Sequence, residues 1–343
     1  MTPPARSASG TRTGTRRGSS AGPPVVFLGP QRFDPTLAAT VKSLGITGEL
    51  ATVTAGWQER EDDDAELRDH LDARGINLLL HRRGDEVFAR DRELGAAHHL
   101  KQEALQELQG LYRVRLSHAR EAARRMFTAE ADSTVKSPEQ EDAIAGLRAL
   151  DDHHTARVRE IQARFDEQWR PHQRVSVARH RDELARLLEP CAGLTIAGGH
   201  VAVLLNRLQL FGVAELIAGK PVIAWSAGAM ALTERIVLFH DSPPQGAGAP
   251  EILAPGLGLI PGVVALPHAR TRLKLEHETH VGLFARRFAP AASVVLDKAS
   301  RLDWNGRSLR PGPATSMLTG EGTVVEMAPA PGAAGGTRTR GRP

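Results

Sequence analysis

A chain of 343 residues, 41% of them hydrophobic, is long enough to bury a core, and its 4% aromatic content with abundant Ala, Val and Leu suits helices and buried strands rather than a β-sandwich. Its one cysteine, Cys191, excludes an internal disulfide and a cysteine-based metal centre. The formal charge of +4 gathers in two tails, with Arg6, Arg12, Arg16 and Arg17 in residues 1–22 and Arg338, Arg340 and Arg342 in residues 328–343. The body between them is close to balanced, so the basicity predicts no nucleic-acid surface.

Both tails hold too few apolar residues to offset the entropy of ordering and read as disordered. The chain opens without an apolar run of signal-peptide length, and no run approaches about 18 apolar residues. The expectation is a cytoplasmic protein without a membrane span.

Residues 23–88 read as alternating strands and helices. PVVFLGP (24–30) is a short apolar strand, a helical pattern follows over 36–44, and a second strand covers 49–55. DDDAELRDHLDARG (62–75) predicts a helix with acids in its first turn, and INLLLH (76–81) predicts a third, buried strand. This alternation predicts a parallel sheet with crossover helices.

Across 89–189 the texture changes to Arg, Glu, Gln, Ala and Leu with few glycines. Leu147, Leu150, His154, Val158, Ile161, Phe165 and Trp169 recur at spacings of three and four, a helical stripe. Leu94, Leu105, Leu108, Tyr112 and Leu116 mark a similar face on a preceding helix, and STVKSP (133–138) reads as the turn between them. The segment predicts a long α-helical hairpin inserted into the α/β domain, a packing arm or the contact of a homo-oligomer. His98, His99, His153 and His154 read as exposed or capping residues of it.

Residues 190–327 return to α/β texture. LTIAGG (194–199) is a strand ending in a glycine pair, 200–219 is helical, and PVIAWSAGAMAL (221–232) is a strand, a tight turn and a helix start. GLGLIPGVVALPHA (256–269) gives a loop and a strand ending at His268, with closing strands at 293–300 and 322–327.

PVIAWSAGAMAL carries the chemistry. Small residues crowd Ser226 where a strand meets a helix, as a nucleophile elbow requires, and the backbone N–H of Ala227 can then face a developing oxyanion. Serine at that position also reads as a simple helix cap. A nucleophilic serine needs a base and an orienter. His268, at the end of a strand, should lie at the same carboxyl edge of the sheet as the elbow. For the acid, Asp241 in LFHDSPPQG competes with Glu234 and Glu251. The pair Gly198-Gly199 lets backbone approach a substrate closely and offers the second oxyanion donor at Gly199. HETH (277–280) is too short for a zincin motif, and neither a phosphate-binding loop nor a dinucleotide fingerprint occurs, so no cofactor and no metal are expected.

The order GGH, then SAGA, then PHARTRL resembles the dipeptidase E and cyanophycinase family of serine peptidases. Gly198-Gly199 matches the family's glycine turn, Ser226 to Ala229 its SAGA elbow, and His268 its strand-final histidine. The likeness covers 24–88 loosely and 194–310 well, and leaves out the helical insertion. It implies a class I glutamine amidotransferase-like fold, an α/β three-layer sandwich with a mostly parallel sheet. It also implies hydrolysis of a small peptide or amide through an acyl-enzyme. In that scheme Ser226 is nucleophile, His268 base then acid, and Asp241 orienter, the position where dipeptidase E-like members carry their acid. Gly199 and Ala227 would supply the oxyanion amides. His200, Arg270 and Arg272 are the substrate-binding candidates. Trp225 departs from the small or hydroxyl residue usual before the serine, and Pro267, Ala269 and Arg270 replace polar neighbours of the histidine. These departures, with the large insertion, leave open a second reading, a non-catalytic binding or scaffold protein working through its helices.

Overall fold

The computed structural model describes residues 22–240 and 248–328. The first region forms β1 (Val25–Leu28), α1 (Leu37–Ser43), β2 (Leu50–Val53), α2 (Ala65–His70) and β3 (Gly75–Asn77). Every residue of β1 and β2 is buried, the pattern of strands covered on both faces.

INLLLH does not make the expected buried strand. β3 ends at Asn77, Leu79 turns left-handed at φ 51°, and Leu80 opens α3 (Leu80–Arg90). The Glu61 carboxylate accepts the backbone N–H groups of His81 and Arg82 at 3.0 Å each, satisfying donors that the first turn of a helix leaves without intrahelical partners.

Two antiparallel helices follow, α4 (Arg92–Thr128) and α5 (Ser133–Trp169), each of 37 residues. STVKSP is the opening of α5 rather than the turn before it. The Asp132 carboxylate accepts the Thr134 N–H at 2.9 Å and starts the helix earlier than the Pro and Ser residues suggested. Helix α6 (Val175–Leu188) leads back to the sheet. Of the four histidines read as exposed or capping, two are not. His154 is buried and stacks on Tyr112 with ring centroids 4.0 Å apart, and His98 takes a 2.5 Å contact from Asn206 Nδ2 while stacking on Phe88.

The remainder runs β4 (Gly193–Ile196), α7 (Val201–Leu210), α8 (Val213–Leu216), β5 (Val222–Trp225), α9 (Ala227–Leu232), β6 (Arg235–His240), β7 (Gly248–Pro255) and β8 (Val263–Pro267). After α10 (Ala269–Arg272) and α11 (Glu278–Phe288) come β9 (Ala292–Leu296), β10 (Arg301–Trp304), β11 (Leu309–Pro311), β12 (Ser316–Leu318) and β13 (Val324–Glu326). Gly212 at φ 57° divides what reads in sequence as one helix into α7 and α8.

A seven-stranded sheet has the order β11-β10-β1-β5-β4-β2-β3. Its β1, β5, β4, β2 and β3 are parallel, and β10 and β11 add antiparallel at one side. The chain is thus mixed α/β, with a mostly parallel central sheet and a large helical segment. One expectation fails: β8, which precedes His268, is not in this sheet. It pairs parallel with β9 in a second sheet ordered β13-β12-β9-β8, while β6 and β7 form a separate hairpin. Strand spacing gives no information about which sheet a strand joins. Among the described residues, no helix is long and apolar enough to cross a membrane.

Buried polar contacts root the helices in the body. Arg287 of α11 donates through Nε to Asp151 Oδ2 of α5 at 2.7 Å, and through Nη2 to the Tyr112 hydroxyl of α4 at 2.8 Å. Its Nη1 donates to the Pro250 carbonyl of β7 at 2.6 Å, and Gln109 reaches the Ile252 carbonyl at 3.1 Å.

Candidate active site

Strand β5 lies between β1 and β4, so its carboxyl end opens at the middle of the parallel strands. Ser226 follows it at φ 52°, ψ −126°, a conformation that L residues seldom adopt and that turns the chain abruptly into α9. The surroundings make the turn obligatory. A Cβ on Gly228 would fall 2.4 Å from the Ile196 carbonyl oxygen, and one on Gly198 would fall 2.7 Å from Ser226 Cβ. Only hydrogen fits at either place, which explains the run of small residues in chemical terms.

The glycine turn is fixed from the other side. Gly199 has φ 111°, and a Cβ there would meet the Gly56 carbonyl oxygen at 2.2 Å. That same oxygen accepts the His200 N–H at 2.7 Å. Among the described residues, the backbone N–H groups of Gly199 and Ala227 donate to no acceptor.

His268 leaves β8 in the left-handed region, φ 58°, and its N–H donates to the Leu296 carbonyl of β9 at 3.2 Å. Just past the end of β9, Asp297 accepts the Arg270 N–H at 3.3 Å and pairs with Arg270 Nε at 3.5 Å. Strand β9 therefore clamps the turn that carries the imidazole. Burial, and then the charge of Arg272, hold the His268 imidazole below the ordinary histidine range, which favours its neutral form. Arg272 is half-buried, and its own guanidinium is lowered by burial.

Ser226 and His268 line one cavity of about 500 Å³, together with Gly198, Gly199, Trp57 and Trp225. Elements from the two sheets converge there. No hydrogen bond joins the Ser226 hydroxyl to the imidazole; such bonds are often long before substrate binds.

The remaining sequence candidates are placed as follows. Asp241 lies outside the described residues. Glu234 accepts the Gly262 N–H at 2.9 Å, and Glu251 pairs with Arg113 of α4 at 2.6 Å. His200 caps α7, its Nδ1 accepting the Val203 N–H at 3.3 Å, and Arg270 is held by Asp297. None of these four side chains lines the cavity. Arg272 is within electrostatic reach of His268 without forming part of the wall. Sequence reasoning missed a large part of the wall, which Trp57, Arg60, Asp63, Glu66 and His70 supply from the segment after β2. The rule that ligands gather beyond the carboxyl ends of parallel strands could have pointed there, because this segment directly follows one. Among the described residues, no group of three His, Cys, Asp or Glu side chains could hold a metal ion.

With the elbow, the glycine turn and the histidine on one cavity, comparison with known proteins becomes informative. Residues 144–297 match peptidase family S51. The stretch contains Gly198-Gly199, Ser226 and His268, so the resemblance to the dipeptidase E family carried by those motifs holds. The match opens inside α5 and leaves out α4 and the strands before it. A solved peptidase from an acI-B1 Actinobacterium is 13% identical, with 90% of this chain and 98% of that one covered and a TM-score of 0.45. A putative Peptidase E protein from Listeria monocytogenes EGD-e is 19% identical, with 38% of this chain and 64% of that one covered and a TM-score of 0.27. No curated protein matches the chain.

Proposed function

We propose that the chain is a serine-type peptidase or amidase of narrow specificity, working through an acyl-enzyme on Ser226 in a class I glutamine amidotransferase-like three-layer sandwich. The S51 match supports a peptidase. The observation that carries the finer reading is the strained Ser226 elbow sharing a cavity with the His268 imidazole.

In this mechanism His268 takes the Ser226 proton as the oxygen attacks the scissile carbonyl carbon. Charge developing on the carbonyl oxygen meets the N–H groups of Gly199 and Ala227, which have no competing acceptor among the described residues. The imidazolium returns the proton to the leaving amine, and a water activated by the same imidazole then releases the acyl group. Asp241 is the proposed orienter; Glu234 and Glu251 are committed to other partners. Arg272, half-buried behind His268 and without an anionic partner among the described residues, is proposed to favour a substrate carboxylate through its charge rather than by direct contact, since it is not part of the cavity wall. A cavity of about 500 Å³ suits a small peptide rather than a folded protein.

A fluorophosphonate probe tests the reading. Wild type should label at one site, and Ser226→Ala should not label. His268→Ala should label far more slowly than wild type. The absence of a Ser226–His268 hydrogen bond favours the second reading, a non-catalytic binding protein working through its helical hairpin. An unlabelled wild-type chain would overturn the peptidase reading.

A further inference from the structure

A second cavity of about 440 Å³ lies where the helical hairpin meets α7 and α8, away from Ser226. Lys101 of α4, Gln162, Phe165 and Asp166 of α5, and Asn206 and Gln209 of α7 contribute to its wall. An adjoining space of about 250 Å³ shares Lys101, Gln162, Asn206 and Gln209 and lengthens it along α4. These sizes are those of small-molecule sites, and the lining combines an aromatic face with convergent polar groups from three helices.

Four charged side chains face this space: Arg170 and Glu215 are exposed, Glu215 pairing with Arg181 at 2.9 Å, while Lys101 and Asp166 carry opposite charges without joining each other. Lys101 Nζ lies 4.0 Å above the centre of the Phe165 ring, and it has no hydrogen bond or ion pair among the described residues. Burial pulls its ammonium down to about 8, with the Asp166 charge acting weakly in the other direction. Asp166, one residue beyond Phe165, is exposed at the mouth of the space, and its carboxylate has no protein partner among the described residues. The side-chain amides of Gln162 and Gln209 are likewise unbonded among the described residues, and each can both donate and accept. A partly buried ammonium without an anion is unfavourable, and a simple packing joint between helices would be filled by apolar side chains instead.

We propose that this cavity binds a free α-amino acid as its zwitterion. The carboxylate would lie on Lys101, the ammonium on Asp166, and the amides of Gln162 and Gln209 would meet the remaining donors and acceptors. No residue of the Ser226 cavity takes part, so the inference stands whether or not the chain hydrolyses peptides.

Calorimetric titration of the full chain with each of the common L-amino acids tests it, with N-acetyl-leucine and leucinamide as partners that each lack one charge. At least one free amino acid should bind saturably, and equally well to wild type and to Ser226→Ala. Removing either charge from the ligand should weaken binding tenfold or more, as should Lys101→Met or Asp166→Asn in a chain of unchanged melting temperature. The ligand series decides the matter even if a variant fails to fold. Failure of every free amino acid to bind would overturn the proposal, as would binding indifferent to both substitutions. Binding abolished by Ser226→Ala would also overturn it, by assigning the ligand to the first cavity.

Discussion

At the Ser226 elbow, glycines at 198 and 228 leave no room for one more carbon, whereas at the root of the helical hairpin Arg287 and Asp151 are only 4% and 1% exposed and held by a 2.6 Å ion pair. The first region is fixed by excluded volume and the second by buried charge. Excluded volume acts over one bond length and fixes where the hydroxyl of Ser226, the proposed nucleophile, stands. Buried charge acts between α4, α5, α11 and β7, and fixes how separate elements dock. Damage to the elbow should therefore appear in the chemistry, and damage to the hairpin root in stability.

Ser226→Ala should give the largest effect, lowering kcat/KM for any peptide substrate by about 10⁴-fold or more while leaving the melting temperature close to wild type. A large loss of stability instead would mean that the serine is a structural cap. Next comes Arg287→Met, which strands Asp151 in the interior. It should cost about 3–5 kcal/mol in a denaturant titration, and replacing Asp151 by leucine in the same chain should recover part of it. Gly198→Ala should cost less, about 1–3 kcal/mol. It should nevertheless slow fluorophosphonate labelling strongly, because the new carbon would displace Ser226 Cβ from 2.7 Å. Equal losses of stability and labelling there would erase the contrast between the two regions.

A smaller effect concerns pH. As the proposed base, His268 has to be neutral to accept a proton, and its folded pKa is lowered from 6.5 by burial and by Arg272. Activity should rise with pH through a midpoint below 6.5 and be fully developed at neutrality. Arg272→Met removes a like charge that disfavours the imidazolium, so the midpoint should move up towards 6.5 in a kcat/KM profile. A midpoint that stays fixed would show that burial alone sets it. Smallest of all, Arg60→Ala should change stability by at most about 0.5 kcal/mol, since its pair with Asp63 is 80% and 66% exposed.

The elbow and the glycine turn were legible in the chain because their requirement is local: a strand meeting a helix over a serine needs small residues at fixed offsets. The helical hairpin was legible through periodicity, although α5 begins at Ser133 because Asp132 is the better cap. INLLLH was misread because a short apolar run has the same appearance in a buried strand and at a helix start. Periodicity also gave the buried face of α5 without its partners, so the stacking of His154 on Tyr112 was invisible.

By itself, then, the sequence determined the alternation of strands and helices, the elbow, the glycine pair and the family likeness, all set by residues within a few positions of one another. Tertiary structure alone decided that His268 reaches the cavity from a second sheet, and that the segment after β2 contributes to its wall. It also decided that Lys101 and Asp166 line one space between helices. Those outcomes depend on which elements pair and pack between segments far apart in the chain. Strand pairing and helix docking are selected by total burial and hydrogen bonding, which no local pattern encodes.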